Sequence, residues 1–365
     1  MLIRVHRARF LSELQPMQGI VERRSTIPVL SHLLLRAEGQ ELRIAATDLD
    51  VSMTSSVEAA VETEGGLAVQ AQKFIEIVRA LPSEEIELEI EGETQLAIRG
   101  GSSRFKLRGL PASDFPTLPE LAEDAGMDIP FALLQRMIGQ IFFAVSPDES
   151  RFQLNGALLE TGEGRLGLVA TDGYRLALVE NELPGVGAGE GVLIPRKALQ
   201  ELQRLDHEGD VRFRRATHHL GFGLGRRQLS CRILEGTFPD YQRVIATDHP
   251  HHAVFERKVL HDAVQRVALM TGDRSSGVKL ELSGGRAILS TANPDLGEAV
   301  EEVPGEVPEV DLSFGVNPNY LLQFLAAADS GSIRFELKDE ASQAVGVPVD
   351  GSDSRALCVI MPMRV

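Results

Sequence analysis

The sequence predicts an α+β chain made of three copies of one unit, each with two helices packed on antiparallel strands. Three observations carry this. The segment AATDLDVSM at 45–53 returns as VATDGYRLALVE at 169–180 and, more weakly, as ILSTANPDLGEAVEEV at 288–303. Thr47 to Thr171 is 171 − 47 = 124 residues and Thr171 to Thr291 is 291 − 171 = 120, each close to a third of the 365 residues. A period that fills the chain marks a repeat architecture and decides the fold ahead of local detail. The segments KFIEIVRAL (73–81), KALQELQRL (197–205) and NYLLQFLAA (319–327) recur independently, at offsets of 124 and 122. A chain of this length also exceeds the size at which one hydrophobic core keeps growing, so several domains are expected.

Each repeat opens on a helix: RARFLSELQPMQGIVERR (7–24), PFALLQRMIGQIFFAVS (130–146) and RKVLHDAVQRVALMTG (257–272). The ATD element follows. In VATDGYRLALVE, alternating apolar residues flank Asp-Gly, which predicts a hairpin with a type I′ turn and positive φ at both central residues. The nine-residue segments form the second helix, with Phe74, Ile75, Val78 and Leu81 at helical spacing and Lys73, Glu76 and Arg79 on the other side. Strand-like runs come next (IELEIEG, VRFRR, SIRFELK), and the repeats close as SRFKLRGLPASDFPTL, LSCRILEGTFPDYQRV and SRALCVIMPMRV. Polar or proline-bearing boundaries near 118–128 and 246–253 give domains 1–122, 123–247 and 248–365.

The composition, 43% apolar and 25% charged, is that of an ordinary globular protein. No run of about 18 apolar residues is present and MLIRVHRARFL lacks the features of a signal peptide, so a cytoplasmic protein is expected. Cys231 and Cys358 stand far apart without metal-ligand spacing and are expected as free buried thiols. A formal charge of −16 excludes a protein that grips nucleic acid over its whole surface, but leaves room for a local basic lining.

Catalytic motifs are missing: no GxxxxGK[ST], GxSxG, HExxH or CxxC occurs, and GFGLGRRQL (221–229) matches the dinucleotide fingerprint poorly. A two-lobed aspartic protease carries Asp-Thr-Gly in each lobe. Here the order is Thr-Asp-Gly once and Thr-Asp-Leu once, so Asp48 and Asp172 read first as turn residues. An enzyme using that Asp pair and a monomeric peptide-binding scaffold are the alternative readings. The histidines of DHPHH (248–252) lack the spacing of a metal site and are expected in a solvated linker; no metal or other cofactor is called for.

Three repeats of this length, with TDGYRLA, FPDYQRVI and a terminal VIMPMRV in these positions, resemble the bacterial DNA polymerase III sliding clamps, the β subunit, over the whole chain. The resemblance implies three clamp domains, a non-catalytic accessory subunit of DNA-directed DNA polymerase III, and a homodimeric ring around duplex DNA with helices inside and sheets outside. It implies tethering of the replicative polymerase and hence processivity in DNA replication. Helix geometry is consistent with two chains: twelve helices about 10 Å apart leave a hole of about 28 Å, wide enough for a duplex of about 20 Å, whereas six leave only about 9 Å. The basic residues expected to line the hole are Arg24, Lys73, Arg79, Arg196, Lys197 and Arg204, and family position adds Gln72, Phe152 and Gln153. Asn319 replaces the lysine in the third repeat, which should weaken its contribution.

The family also receives short linear peptides from polymerases, the clamp loader and repair proteins. By motif the pocket takes Arg151, Leu154, Thr171, Gly173, Arg175, Leu176, Pro239 and Val244, with Val359, Met361, Pro362, Met363 and Arg364 at the C-terminus. Methionine and branched aliphatics suit an adaptable apolar groove, and arginine with backbone groups suits peptide orientation. Tyr174 departs from the pattern, in which many members have His. For the subunit interface the resemblance implies Phe105 and Leu107 of one copy meeting Leu269 and Met270 of the other.

Overall fold

Apolar residues at helical spacing build six α-helices in the computed structural model, which describes residues 1–22, 26–119, 126–245, 248–272, 277–349 and 354–364. They are α1 (Arg7–Met17), α2 (Ala71–Ala80), α3 (Phe131–Ile141), α4 (Arg196–Arg204), α5 (Arg257–Val267) and α6 (Pro318–Ala327), two to a repeat. Each turns one stripe inward: Phe10, Leu14 and Met17 in α1; Phe74, Ile75 and Val78 in α2; Leu260, Ala263, Val264 and Val267 in α5. Side chains cap two of them. The Gln70 side chain accepts from the Lys73 amide at 2.6 Å, and Asn317 Oδ1 from the Asn319 amide at 2.9 Å, satisfying amides that a helix start leaves without partners. The opening helices are shorter than the sequence suggests, because 3-10 turns at Phe142–Ala144 and Ala268–Met270 take over after α3 and α5.

The strands, all paired antiparallel, divide between two compact units: Met1–Leu133 with Lys197–Ile233, and Leu134–Arg196 with Leu234–Val365. The first unit holds one twelve-stranded sheet, the second an eight-stranded and a four-stranded sheet. One strand position makes the join in each unit. Val51–Thr63 pairs with Glu41–Thr47 of its own repeat and with Arg227–Arg232 of the next. Its equivalent, Arg175–Glu182, pairs with Arg165–Thr171 and with Ser354–Ile360. Compactness therefore groups in two a chain whose sequence repeats three times, and the central repeat gives strands to both units.

The Thr-Asp element is a hairpin turn, as its sequence predicts, but not of type I′. Only Gly173 has positive φ, at 91°, and the turn is held by side chains instead. Asp172 Oδ1 accepts from the Tyr174 and Arg175 amides at 2.9 and 3.1 Å, while Thr171 Oγ1 accepts from Gly173 N and donates to Arg175 O. Asp48 and Thr47 make the same four bonds in the first repeat. There the glycine position is Leu49, at φ 84° and 53% exposed. A β-carbon in left-handed backbone costs roughly 1–2 kcal/mol, of which about half is returned to the unfolded chain when glycine replaces it. Leu49→Gly should therefore raise the thermal midpoint, by roughly 0.5–1 kcal/mol of net stability. A lowered midpoint would show that Leu49 makes compensating contacts.

The expectation of a solvated histidine linker is corrected. Residues 246–247 lie outside the described residues, but His251 and His252 begin the strand His251–Glu256, paired with Leu337 and Glu336. His249 is buried, and among the described residues neither ring nitrogen has a hydrogen-bond partner. Cys231 and Cys358 are free and buried, and burial pushes both thiols well above their ordinary range.

Candidate functional site

In the second unit, alternation along paired strands gathers Val169, Leu176, Leu178, Val345, Leu357 and Val359 into one apolar cluster with Phe238 and Tyr241. Leu176 and Val359 are cross-strand partners, and Val244 packs half-buried against them. Three pocket residues predicted from sequence thus share one cluster. Leu154 is buried on the 3-10 turn Phe152–Leu154, while Gly173 and Pro239 are exposed. The C-terminal tail is pinned at two amides: Met361 N donates to Tyr174 O at 3.0 Å and Met363 N to Gly315 O at 2.8 Å. Between these anchors Met361 is 42% exposed, with Pro362 and Met363 half-buried and Arg364 exposed.

The two predicted arginines differ. Arg151 is exposed, with one guanidinium nitrogen donating to Asp172 O at 3.2 Å. Arg175 is only 8% exposed: its Nε donates to Asp172 Oδ2 at 3.0 Å, another nitrogen to Gln323 Oε1 at 2.5 Å, and its Cζ lies 4.3 Å from the Tyr320 ring centroid. Its charge is taken up inside the unit, where it ties the turn to α6. Thr171, likewise buried, has its hydroxyl committed to the turn. Sequence reasoning missed Gln323 and Tyr320, which hold Arg175 from 148 and 145 residues away (323 − 175 and 320 − 175). It also missed Leu178, Leu357 and Val345, which strand alternation from Leu176 and Val359 could have supplied. Tyr241 completes the wall, its hydroxyl donating to Glu160 at 2.6 Å; burial, reinforced by that carboxylate, pushes it up to about 12.

The predicted basic lining is mostly compensated locally. Lys73 pairs with Glu76 at 2.6 Å on the exposed face of α2, and Gln72 donates to the same carboxylate. Arg204 pairs with Glu201 at 2.9 Å. Lys197 donates to Ile20 O at 2.7 Å and to Asp48, in the first unit, instead of reaching freely into solvent. Arg196 donates to Val145 O at 2.7 Å and covers the Phe142 ring. Arg79, Phe152 and Gln153 are exposed, and Arg24 lies outside the described residues. Glu201 is 4% exposed, and burial raises its carboxyl above the ordinary value. A β-carbon on Gly19 would lie 1.9 Å from its Oε2, so any larger residue there would move the Glu201 carboxylate.

The predicted interface residues lie at strand edges. In the first unit, residues 103–108 of Ser103–Pro111 pair on one side only, with Gln95–Gly100, and expose Arg104, Phe105, Lys106 and Arg108, with Leu107 half-buried. In the second, Gly297–Val303 pairs, among the described residues, with Arg286–Asn293 alone and exposes Glu298, Val300 and Glu302. Leu269 is 76% exposed beside this strand, and Met270 Cε lies 3.4 Å from a β-carbon placed on Gly297. Exposed strand edges of this kind are templates for pairing with another chain.

Three family models match in succession: DNA polymerase III beta subunit N-terminal domain over residues 1–119, central domain over 128–240 and C-terminal domain over 242–364. The chain is 37% identical to the beta sliding clamp of Pseudomonas aeruginosa, with 99% of each covered. A crystal structure of the Bartonella birtlesii clamp bound to griselimycin superimposes with a TM-score of 0.94 at 34% identity, 100% of both chains being covered. The Caulobacter crescentus clamp, with polyethylene glycol bound to a beta-motif tethering region, gives a TM-score of 0.94 at 35% identity over 100% of this chain and 99% of that one. Among the described residues no helix is long and apolar enough to cross a membrane.

Proposed function

The chain belongs to the DNA polymerase III beta subunit family and is a sliding clamp of DNA replication, and from this we propose that two copies close head to tail around duplex DNA. The observation that carries the proposal is the pair of half-paired strand edges of opposite charge: Arg104, Lys106 and Arg108 on one, Glu298 and Glu302 on the other. Antiparallel pairing of one edge with the other edge of a second copy satisfies both ladders and sets cations against carboxylates. It also covers Phe105 and Leu107 with Leu269 and Met270. A two-fold axis repeats the contact and closes the assembly with neither of these edges left open.

Sliding requires weak, sequence-independent phosphate contacts, since every neutralised phosphate adds affinity and friction together. The intrachain pairs Lys73–Glu76, Arg204–Glu201 and Lys197–Asp48 suit that requirement, because DNA competes with a carboxylate already in place. The lining we assign is Arg24, Gln72, Lys73, Arg79, Phe152, Gln153, Arg196, Lys197 and Arg204. No catalytic step falls to this cytoplasmic chain: the Asp48 and Asp172 carboxylates hold their own hairpin turns. Polymerases, the clamp loader and repair proteins dock through linear peptides at the Leu176–Val359 cleft, whose open methionine rim and apolar floor fit hydrophobic peptide side chains. Light scattering tests the assembly: 2 × 39.8 = 79.6 kDa is expected at micromolar concentration, and a particle of 39.8 kDa throughout rejects the ring.

A further inference from the structure

Subtracting the 124-residue period from the cleft residues leads to a second groove, in the first unit. Leu176 and Leu178 correspond to Ser52 (176 − 124) and Thr54 (178 − 124). Their cross-strand partners correspond as well: Ser52 faces Ser230 and Thr54 faces Gln228, as Leu176 faces Val359 and Leu178 faces Leu357. These four polar residues line a groove of about 1170 Å³. Its apolar end matches as well: Ala45 corresponds to Val169 (169 − 124), and Phe115 and Leu118 of FPTL correspond to Phe238 and Tyr241 of FPDY at an offset of 123 (238 − 115). The strand pairing is the same and the floor differs, hydroxyl and amide in place of aliphatic.

The charge has changed with it. Five arginines line the groove, Arg36, Arg43, Arg214, Arg226 and Arg227, and no acidic residue does among the described residues, in a chain of net charge −16. Arg226 and Arg227 are paired with Glu58 and Glu13 at 3.1 and 2.7 Å. The other three are open to a ligand. Among the described residues Arg36 is exposed without an ion pair, Arg43 lies a loose 3.8 Å from Glu38, and Arg214 Nε is buried with no hydrogen-bond partner. A buried guanidinium N–H without an acceptor is a standing cost that an incoming anion relieves.

We propose that this groove is a second docking site, which takes an acidic peptide segment of a partner protein in extended form. Carboxylates meet Arg36, Arg43 and Arg214, backbone and carboxylate oxygens accept from the hydroxyl floor, and one apolar side chain enters beside Phe115. A peptide fits better than single-stranded nucleic acid, because Phe115 is 7% exposed and offers no open ring on which a base could stack. The two sites then sort their ligands. An aliphatic side chain on the Ser52–Ser230 floor leaves hydroxyls unpaired, and a carboxylate on the Leu176–Val359 floor loses its hydration. The equivalence of the sites rests on the peptide reading of the apolar cleft; the charge argument does not.

Fluorescence anisotropy on the full chain tests this with two labelled probes, a peptide of alternating Glu and Leu and a neutral peptide of Gln and Leu. The acidic probe should bind without displacing the neutral one. R36E combined with R43E, both surface changes, should weaken the acidic probe at least tenfold and leave the neutral probe unchanged, and R214Q should act in the same direction. An acidic probe indifferent to these substitutions, displaced by the neutral probe, or outcompeted at these arginines by a thymidine oligonucleotide overturns the proposal. Binding of the acidic probe alone would uphold this site and count against the apolar cleft.

Discussion

Ending the chain at Ile360 weakens binding of a Gln- and Leu-containing polymerase peptide by at least about a hundredfold while leaving the dimer and its melting temperature nearly unchanged. The size of the effect follows from what is removed. The proposed cleft has Met361, 42% exposed, and the half-buried Met363 at its rim, and burial of one such side chain by a ligand contributes about 1.5–3 kcal/mol, so two account for a factor of a hundred or more. The fold loses little, because the pairing of Arg175–Glu182 with the last strand ends at Ile360 and the backbone bonds of the tail beyond, among the described residues, are the amide bonds to Tyr174 and Gly315. Isothermal titration with the full and shortened chains measures the difference. Unchanged affinity would mean that the peptide docks elsewhere.

Phe105→Asp is expected to yield a 39.8 kDa monomer where the proposed assembly of the parent chain is a dimer. The substitution places a carboxylate on the edge 103–108, facing the apolar residues of the partner copy. Interface truncations at buried positions cost about 2–4 kcal/mol. A closed two-fold ring contains the contact twice, so roughly 4–8 kcal/mol is lost and dissociation strengthens by about 10³-fold or more. Phe105 is 39% exposed in the single chain, so folding should be little affected. Light scattering with circular dichroism separates the outcomes: a folded monomer supports the edge pairing, and a persistent dimer removes these edges from the interface.

The repeat was legible in the sequence because its markers, the Thr-Asp turn and the amphipathic second helix, are local. Thr171, Asp172 and Gly173 show their turn within three residues, and Phe74, Ile75 and Val78 show their buried face within five. The turn type was less legible. Asp-Gly suggested positive φ at two residues, whereas the Thr and Asp side chains hold the turn with one, and Leu49 tolerates it without glycine. What the sequence did not show was long-range pairing. Lys197 reads as a free cation until Asp48 is brought to it across 149 residues, and Arg175 as a ligand-binding group until Gln323 and the Tyr320 ring enclose it. The joining of one repeat's sheet to the next is equally non-local, since nothing near Ser52 announces Ser230 as its partner.

The central claim is topological, that the chain holds DNA by surrounding it, and retention on DNA of different topology measures this directly. Clamp loaded onto nicked circular DNA and then passed through a sizing column should remain bound, and should be lost within minutes once one restriction cut makes the circle linear. Equal retention on circular and linear DNA, or loss from both, would contradict encirclement.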